Sequence, residues 1–248
     1  MSAKTGIEWT DATWNPWMGC SKVSPGCAHC YMFMEQRRYG KDPAVIRRST
    51  TTFDDPLRWA EPLRWAEPLR VFTCSWSDWF HPEADAWRPE AWDIVRRTPH
   101  LTYQILTKRP ELIADRLPPD WGAGYPNVWL GTSIENRRFV DRADLLREIP
   151  AAVRFISAEP LLGPLEGLDL FDIDWLIAGG ESGSKRDCDP DWVRQLRDHC
   201  VFEGVAFFFK QWGAVRAPGR GKGGHQDAML DGRRWTEMPA SALAVANA

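Results

Sequence analysis

Residues 153–182 read VRFISAEPLLGPLEGLDLFDIDWLIAGGES, and this stretch contains two short apolar runs, each followed closely by a glutamate. The runs cover residues 153–157 and 175–178, and the glutamates are Glu159 and Glu181. Short runs of β-branched, aromatic and leucine side chains are typical of strands that are buried on both faces of a parallel sheet. The stretch therefore predicts two parallel strands with carboxylates just beyond their carboxyl ends.

The same pattern recurs along most of the chain. Four further strands are predicted, at residues 71–74, 102–106, 127–131 and 205–209. Between the strands we predict helices that begin near Pro89, Pro110 and Pro190, and one in the stretch from Glu135 to Pro150. The alternation predicts an α/β fold, either an open doubly wound sheet or a full or partial (β/α) barrel of six to seven parallel strands, similar to a TIM barrel. Polar side chains follow nearly every strand, which favours the barrel because a ring brings all strand ends to one mouth.

Composition is consistent with one main domain. The chain has 248 residues, of which 44% are hydrophobic and 26% are charged, so a core can form without help from a disulfide or a metal. We predict a single barrel domain over residues 1–213, with the cysteine loop at 20–30. Residues 56–70 repeat a six-residue unit and are predicted to be a duplicated loop insertion. Residues 214–248 form a tail that is basic and glycine-rich and then alanine-rich, and the tail is expected to be mobile and separate from the barrel.

Charge and cysteine usage limit the classes of function. The net charge of −3 provides no field over the whole molecule that would attract nucleic acid or an anionic membrane, although a local basic patch remains compatible with it. The sequence starts without an export signal and has no apolar run long enough to cross a membrane, so a cytoplasmic protein is expected. Disulfides are then unfavourable, and three scattered cysteines are predicted to bind no metal: Cys74, Cys188 and Cys200. Cys74, inside a strand run, and Cys200, on the apolar stripe of a helix, are expected to be small buried side chains.

The other three cysteines lie in one loop, GCSKVSPGCAHCY at residues 19–31. Cys27 and Cys30 form a Cys-x-x-Cys pair that can reach one soft metal centre, and a Pro-Gly turn can fold Cys20 back onto that centre. For zinc, the fourth ligand would be His29 or a distant cysteine. A [4Fe–4S] cluster on three thiolates would instead keep one iron open for a substrate or cofactor. At this point the sequence leaves both centres open.

Seven motifs together resemble an uncharacterised family of phage and bacterial proteins with a three-cysteine motif. Besides the cysteine loop they are IEWTDATWNP (7–16), LTKRP (106–110), NVWLG (127–131), SAEPLLGP (157–164), GGESG (179–183) and FFFKQWG (207–213). That family is similar to a distant branch of the radical S-adenosylmethionine superfamily, closest to the spore photoproduct lyase type. The superfamily spaces its cysteines by three residues and then two, whereas here six and then two residues intervene.

The resemblance implies a partial barrel that holds a [4Fe–4S] cluster on Cys20, Cys27 and Cys30 and cleaves S-adenosylmethionine reductively to act on a substrate. A nucleic acid is one candidate substrate, and neither the reaction class nor a protein partner is implied. A mouth lined by tryptophans, Trp76, Trp79, Trp129 and Trp212, would exclude water. The alternative is a zinc-binding phage- or DNA-associated protein without radical chemistry. A hydrolase ranks last because no nucleophile signature accompanies the polar residues.

Position at the strand ends predicts which side chains form the site. The predicted catalytic residues are Lys108, Glu159, Glu181 and Lys210, with the lysines binding a carboxylate or phosphate. The predicted cofactor-binding residues are Ser133, Glu135, Glu159, Gly179, Gly180, Glu181 and Ser182. Glu159 and Glu181 are expected to bind the ammonium group or ribose hydroxyls of the cofactor, because an idle carboxylate in apolar or glycine-tight surroundings would be costly.

Overall fold

The computed structural model describes residues 5–59, 69–183, 186–213 and 228–240. In chain order the strands and α-helices are β1 (Ala12–Trp14), β2 (Trp17–Met18), α1 (Tyr31–Arg38), β3 (Arg47–Arg48), α2 (Asp55–Trp59), β4 (Leu69–Thr73), α3 (Arg88–Arg97), β5 (Leu101–Thr107), β6 (Val128–Ser133), α4 (Arg142–Arg147), β7 (Val153–Ala158), β8 (Trp175–Gly179), α5 (Pro190–Glu203), β9 (Ala206–Gln211), β10 (Met229–Leu230) and β11 (Arg233–Arg234). Short 3-10 turns lie between several of them.

Seven strands form one sheet in the order β1-β4-β5-β6-β7-β8-β9, and every neighbouring pair is parallel. The spatial order of these seven strands follows their order in the sequence without a reversal. The sheet curls into a half-barrel. This confirms the predicted partial (β/α) barrel and excludes the doubly wound alternative, whose strand order reverses at a switch point. The seventh strand, β1, was not predicted.

Two apolar layers cover the two faces of the sheet. The larger layer lies on the convex face, where the helices pack through residues such as Trp92, Leu146 and Leu196. The smaller layer fills the concave face with aromatic side chains, among them Trp9, Trp175 and Phe208. The concave layer forms a floor for the barrel, because its members come mainly from the amino-terminal halves of the strands.

Side chains on the concave face become more polar towards the carboxyl ends of the strands. Since alternate residues of a strand share one face, β7 and the residue beyond it present Val153, Phe155, Ser157 and Glu159 in turn, and the first three are buried. Strand β8 follows the same gradient from Trp175 to Glu181. The half-barrel therefore has an apolar floor and a polar mouth, as is usual for sites at the carboxyl ends of parallel strands.

Helix predictions succeeded where a clear cap was present. Helix α5 begins at Pro190 after an Asp189 side chain that accepts a hydrogen bond from the Asp191 amide at 2.9 Å, and it ends at Gly204 with φ of 71°. The helix predicted from Pro110 was wrong, because that segment makes only two 3-10 turns. The helix predicted to start at Glu135 begins later, at Arg142, after a 3-10 turn that Asn136 caps.

The predicted separation of the tail does not hold for residues 228–240. The Phe209 amide donates to the Trp235 carbonyl at 2.9 Å, and the Glu237 amide donates to the Phe207 carbonyl at 3.1 Å. Leu230 is fully buried in the convex layer. The apolar residues of this segment show too little periodicity for these few anchoring side chains to be predicted. Residues 214–227 and 241–248 lie outside the described residues.

The predicted loop insertion at residues 56–70 is also partly revised. Residues 55–59 form α2, and Leu69 and Arg70 belong to β4, where Arg70 donates to the Asp11 carboxylate at 2.9 Å. The middle of the duplication lies outside the described residues. No helix in the described part of the chain is long and apolar enough to span a membrane.

Candidate functional site

The cysteine loop is anchored to the segment that follows β4. The Gly19 amide donates to the Trp76 carbonyl at 3.0 Å, and the Ser77 hydroxyl donates to the Gly19 carbonyl at 2.6 Å. The Cys27 end of the loop forms a 3-10 turn, Pro25–Cys27, and Cys30 immediately precedes α1. The loop therefore lies at the carboxyl ends of the strands, on the side of the predicted mouth.

Glu135, which follows β6, supports the middle of the loop. Its side chain is fully buried, and its carboxylate accepts a short hydrogen bond from the Ser24 hydroxyl and one from Arg142 Nη1 at 3.1 Å. Gly26 packs directly on this carboxylate, since a Cβ at Gly26 would lie 2.5 Å from Glu135 Oε1. Glu135 is therefore a support for the loop, and its oxygens are engaged with protein groups.

Glu181, which follows β8, supports the loop from the other side. Its carboxylate accepts two hydrogen bonds from Arg186, and it lies 3.2 Å from His29 Nδ1. Arg186 also donates to the Pro25 carbonyl at 3.1 Å. Because the carboxylate is 95% covered, pairs with Arg186 and contacts His29, Glu181 links the loop after β8 to the cysteine loop.

Burial dominates the environment of the Cys20 and Cys30 thiols. Burial raises the pKa of Cys20 to about 12, with a further increase from the Asp78 carboxylate and a counteracting effect of Arg109. Burial likewise raises the pKa of Cys30, and Lys108 counteracts it. The Cys27 thiol, if charged, adds to the increase in the pKa of both Cys20 and Cys30.

Among the described residues, no group of three or more His, Cys, Asp or Glu side chains is placed to hold a metal ion. The chemistry of the donor set nevertheless fits a soft metal centre, because three thiols on one loop are ligands for zinc or for an iron–sulfur cluster. A buried N–H also lacks a partner here, the Nε of Arg109. His29, which was one candidate for the fourth ligand of a zinc ion, interacts through Nδ1 with Glu181.

Glu159 and Lys210 form an ion pair in the mouth. The Lys210 Nζ lies 2.9 Å from Glu159 Oε1, and the Ser157 hydroxyl donates to Oε2 at 3.3 Å. Their side chains are 13% and 25% exposed, so both remain accessible to a ligand from the mouth. Gly179 lies against Glu159, and a Cβ at Gly179 would come within 3.0 Å of that carboxylate. This pair is the most accessible of the predicted carboxylate sites.

Three other predicted residues have structural contacts. Ser133 is buried, and its carbonyl accepts from Arg142 Nη1 at 2.7 Å. Gly180 permits close packing of the strand ends, because a Cβ there would lie 2.1 Å from the Trp212 carbonyl oxygen. The Ser182 hydroxyl accepts from Gln211 Nε2 at 2.5 Å. Each of these contacts holds the mouth in shape.

Sequence reasoning missed a polar network beneath Cys20. The Asp78 carboxylate accepts hydrogen bonds from the Thr107 hydroxyl at 2.7 Å and from the Lys108 amide at 3.1 Å. The Arg109 Nη2 donates to the Ser21 carbonyl at 2.9 Å. Asp78 and Arg109 also follow strands, so the rule that selected Lys108 could have found them.

The tryptophan-lined mouth is incorrect for three of its four members. Trp79 and Trp212 are buried in the convex layer, and Trp129 belongs to the concave floor. The three remaining cysteines lie in the convex core: Cys74, Cys188 and Cys200. For Cys74 and Cys200 this matches the predicted small buried side chains.

Fold and site together define an α/β half-barrel protein with a three-cysteine loop fixed over its polar mouth. The chain belongs to the family described as protein of unknown function (DUF5131), whose model matches residues 4–239. The match extends through the C-terminal segment that packs on β9. No curated protein and no solved structure matches the chain.

Proposed function

We propose that this protein is a radical S-adenosylmethionine-type enzyme that binds a [4Fe–4S] cluster through Cys20, Cys27 and Cys30. The observation that carries the proposal is the fixed position of the three-thiol loop over the mouth of a half-barrel. Two buried carboxylates, Glu135 and Glu181, support this loop from opposite sides. A loop that only closed a surface turn would not require two buried ion pairs beneath it, because burying charge is costly.

The chemistry that such a cluster supplies is one electron for the reductive cleavage of S-adenosylmethionine. The protein's own residues then bind and orient the cofactor and exclude water. Glu159 and Lys210 carry opposite charges in the mouth, so they can bind the ammonium and the carboxylate of an amino acid group. The aromatic floor excludes water below them. Glu135 and Glu181 act as positioning residues, since their carboxylates are already bound by protein cations.

Anaerobic purification tests the metal centre. We expect a brown protein with about four irons and four sulfides per chain that releases 5′-deoxyadenosine from S-adenosylmethionine under reducing conditions. Cys27→Ser should lose the iron, and the matched control Cys200→Ser should keep it. A colourless protein with one zinc per chain would support the zinc alternative, and a parent with a full cluster but no cleavage would refute the radical reaction.

Cofactor binding is tested in proteins that retain a full cluster. Glu159→Gln and Lys210→Gln should weaken S-adenosylmethionine binding at least tenfold, because each removes a charge-assisted hydrogen bond. Binding by titration calorimetry, rather than turnover alone, is the measurement. Unchanged binding in both variants would place the cofactor elsewhere.

We further propose nucleic acid as the substrate class, on the basis of the surface beside the mouth. Residues 20–48 contain six lysines and arginines but two acidic residues, whereas the whole chain has a net charge of −3. On and just beyond α1, Tyr31 and Tyr39 are 41% and 65% exposed, and Arg37 and Arg38 lie between them with exposed side chains. Cations interleaved with exposed aromatics suit single strands, whose backbone and bases they bind together.

A matched pair of double variants tests this substrate class. Arg37→Gln/Arg38→Gln should weaken binding of a fluorescent single-stranded oligonucleotide several-fold and reduce its dependence on salt. Arg96→Gln/Arg97→Gln is the control, because these arginines also end a helix and are exposed, but they lie at the opposite end of the sheet. Equal effects of the two double variants, or no binding by the parent, would refute nucleic acid as the substrate.

A further inference from the structure

Two consecutive cations after β5, Lys108 and Arg109, lie on either side of the cysteine loop. Asp78 fixes the turn that carries them, since its carboxylate accepts from the Thr107 hydroxyl at 2.7 Å and from the Lys108 amide at 3.1 Å. The Thr107 hydroxyl in turn accepts from the Arg109 amide at 2.9 Å. The backbone of both cations is therefore held in place from β4 and β5.

Arg109 reaches the Cys20 end of the loop. It is 8% exposed, and its Nη2 donates to the Ser21 carbonyl at 2.9 Å and to the Ser21 hydroxyl at 2.7 Å. Because Ser21 directly follows Cys20, these hydrogen bonds hold the guanidinium beside the Cys20 end of the loop. The Arg109 Nε lies 4.0 Å from Asp78 Oδ2 and is buried without a hydrogen-bond partner. A buried donor without a partner is costly, which indicates that an acceptor joins it when the site is complete.

Lys108 reaches the side of the loop that Glu135 supports. Its Nζ lies 3.7 Å from Glu135 Oε1, but that carboxylate is already paired with Arg142 and accepts a hydrogen bond from Ser24. Around Glu135 there are thus two cations for one carboxylate. The excess positive charge therefore lies beside the part of the cysteine loop that Glu135 supports, at Ser24 and Gly26.

We infer that Lys108 and Arg109 are positioning residues that balance the negative charge of the metal centre on the cysteine loop, and that they raise both its metal affinity and its reduction potential. The inference rests on the proposed function for the identity of that centre. Hydrogen bonds to ligand sulfurs and the net charge around a cluster are established controls of its potential. Opposite charge held in a buried site acts more strongly than at the surface.

The test uses full-length protein reconstituted anaerobically. Lys108→Gln and Arg109→Gln should each shift the cluster's midpoint potential to a more negative value, measured by redox titration monitored by electron paramagnetic resonance. Each should also lower metal affinity about 10- to 100-fold, measured by competition with a chelator. Arg109→Lys retains the charge and should recover most of the potential, which a purely structural defect would not allow. Arg138→Gln removes an exposed cation after β6 and serves as the control.

The outcomes separate this inference from the proposed function. If the parent protein binds zinc instead, the proposed function fails, but the same variants should still lower zinc affinity in the chelator assay. Potentials and affinities equal to those of the parent in both glutamine variants, at full occupancy and with unchanged circular dichroism, would overturn the charge-balancing role. A parent chain that binds no metal at all would overturn both proposals.

Discussion

Glu135 combines full burial with three polar partners, and its neighbours explain why a charge is tolerated there. Arg142 neutralises it at 3.1 Å, Ser24 donates a short hydrogen bond to it, and Lys108 lies 3.7 Å away. Removing one member of a buried ion pair leaves the other charge without compensation, which is more costly than losing the attraction itself. Stability and the position of the cysteine loop therefore depend on the same carboxylate.

Replacing this carboxylate is expected to destabilise the protein strongly. Glu135→Gln should lower the free energy of unfolding by about 3–5 kcal/mol, because Arg142 would remain buried without a counter-ion. Chemical denaturation followed by tryptophan fluorescence measures the change. The control is Glu166→Gln, since Glu166 is 65% exposed and pairs with Arg137 at 3.5 Å. We expect a change below about 0.5 kcal/mol for the control, and equal losses in the two variants would contradict the role of Glu135.

At the residue scale, the sequence predicted where the two glutamates lie better than it predicted what each of them does. Glu159 and Glu181 were both predicted to bind the cofactor, because both follow a strand in confined surroundings. Only the structure distinguishes the accessible Glu159 from Glu181, whose partners Arg186 and His29 come from distant or irregular segments. Strand-end position can be predicted from local patterns, whereas the partner of a buried charge depends on tertiary contacts.

At the scale of elements, the C-terminal hairpin of β10 and β11 is attached to α5 by a cluster of charges. Asp231, in the turn between the two strands, accepts from Arg194 Nη2 at 2.8 Å and from Arg197 Nη1 at 2.7 Å. The hydrogen bonds from Arg194 and Arg197 lower the pKa of Asp231 to about 2. Asp231 also has a φ of 52°, which asparagine tolerates, so Asp231→Asn removes the charge without adding strain.

The attachment of this hairpin should depend on pH. A carboxylate whose pKa is lowered on folding stabilises the folded state above its ordinary value of 3.8, and this contribution is lost as the pH falls through about 2. We expect hydrogen exchange of the Phe209 and Glu237 amides to accelerate in the parent from pH 5 to pH 2, relative to the intrinsic rate. Asp231→Asn should show faster exchange already at pH 7, and Asp144→Asn, on α4, should not. Identical exchange in the parent and Asp231→Asn would refute the role of this charge cluster.

Element prediction failed where the structure depends on partners rather than on periodicity. Strand β1 has three residues and is stabilised by pairing with β4, with Ala12 opposite Val71. A segment this short has too few alternations to be detected by itself. Helix α5, in contrast, has both an N-cap and a left-handed Gly204 at its end, and both signals are local.

For the whole molecule, the C-terminal segment belongs to the fold and the expected separation of the tail was incorrect. Leu230 is buried, Trp235 contacts the Phe207 ring edge-on at a centroid distance of 5.9 Å, and Arg234 donates to Glu8 near the other end of the chain at 2.7 Å. The indole of Trp175 also donates to the Glu237 carbonyl at 2.9 Å. This segment therefore connects β9, the concave floor and the N-terminal region.

A chain truncated after Gly213 should accordingly be unstable. Loss of the buried Leu230 side chain leaves the apolar surface around it uncovered at a cost of about 1.5–3 kcal/mol, and the contacts of Trp235 and Glu237 are lost as well. We expect a markedly lower melting temperature or insoluble protein, measured by thermal unfolding and by the soluble fraction. Truncation after Ala240 is the control, because it retains all of the described contacts. Equal stability of the truncation after Gly213 and the full-length chain would show that the segment contributes nothing to the fold.

The pairing of residues 235–237 with β9 also affects the tendency of this protein to aggregate through its edge strand. β9 is the last strand of an all-parallel sheet, and without this cover its amides and carbonyls at residues 207 and 209 would lie open to strands of other molecules. Exposed edge strands recruit other chains and nucleate aggregation. A short antiparallel segment, bridged to β9 at Phe208 and Thr236, already pairs with these backbone groups. The segment therefore protects the edge of the sheet from strand pairing between molecules.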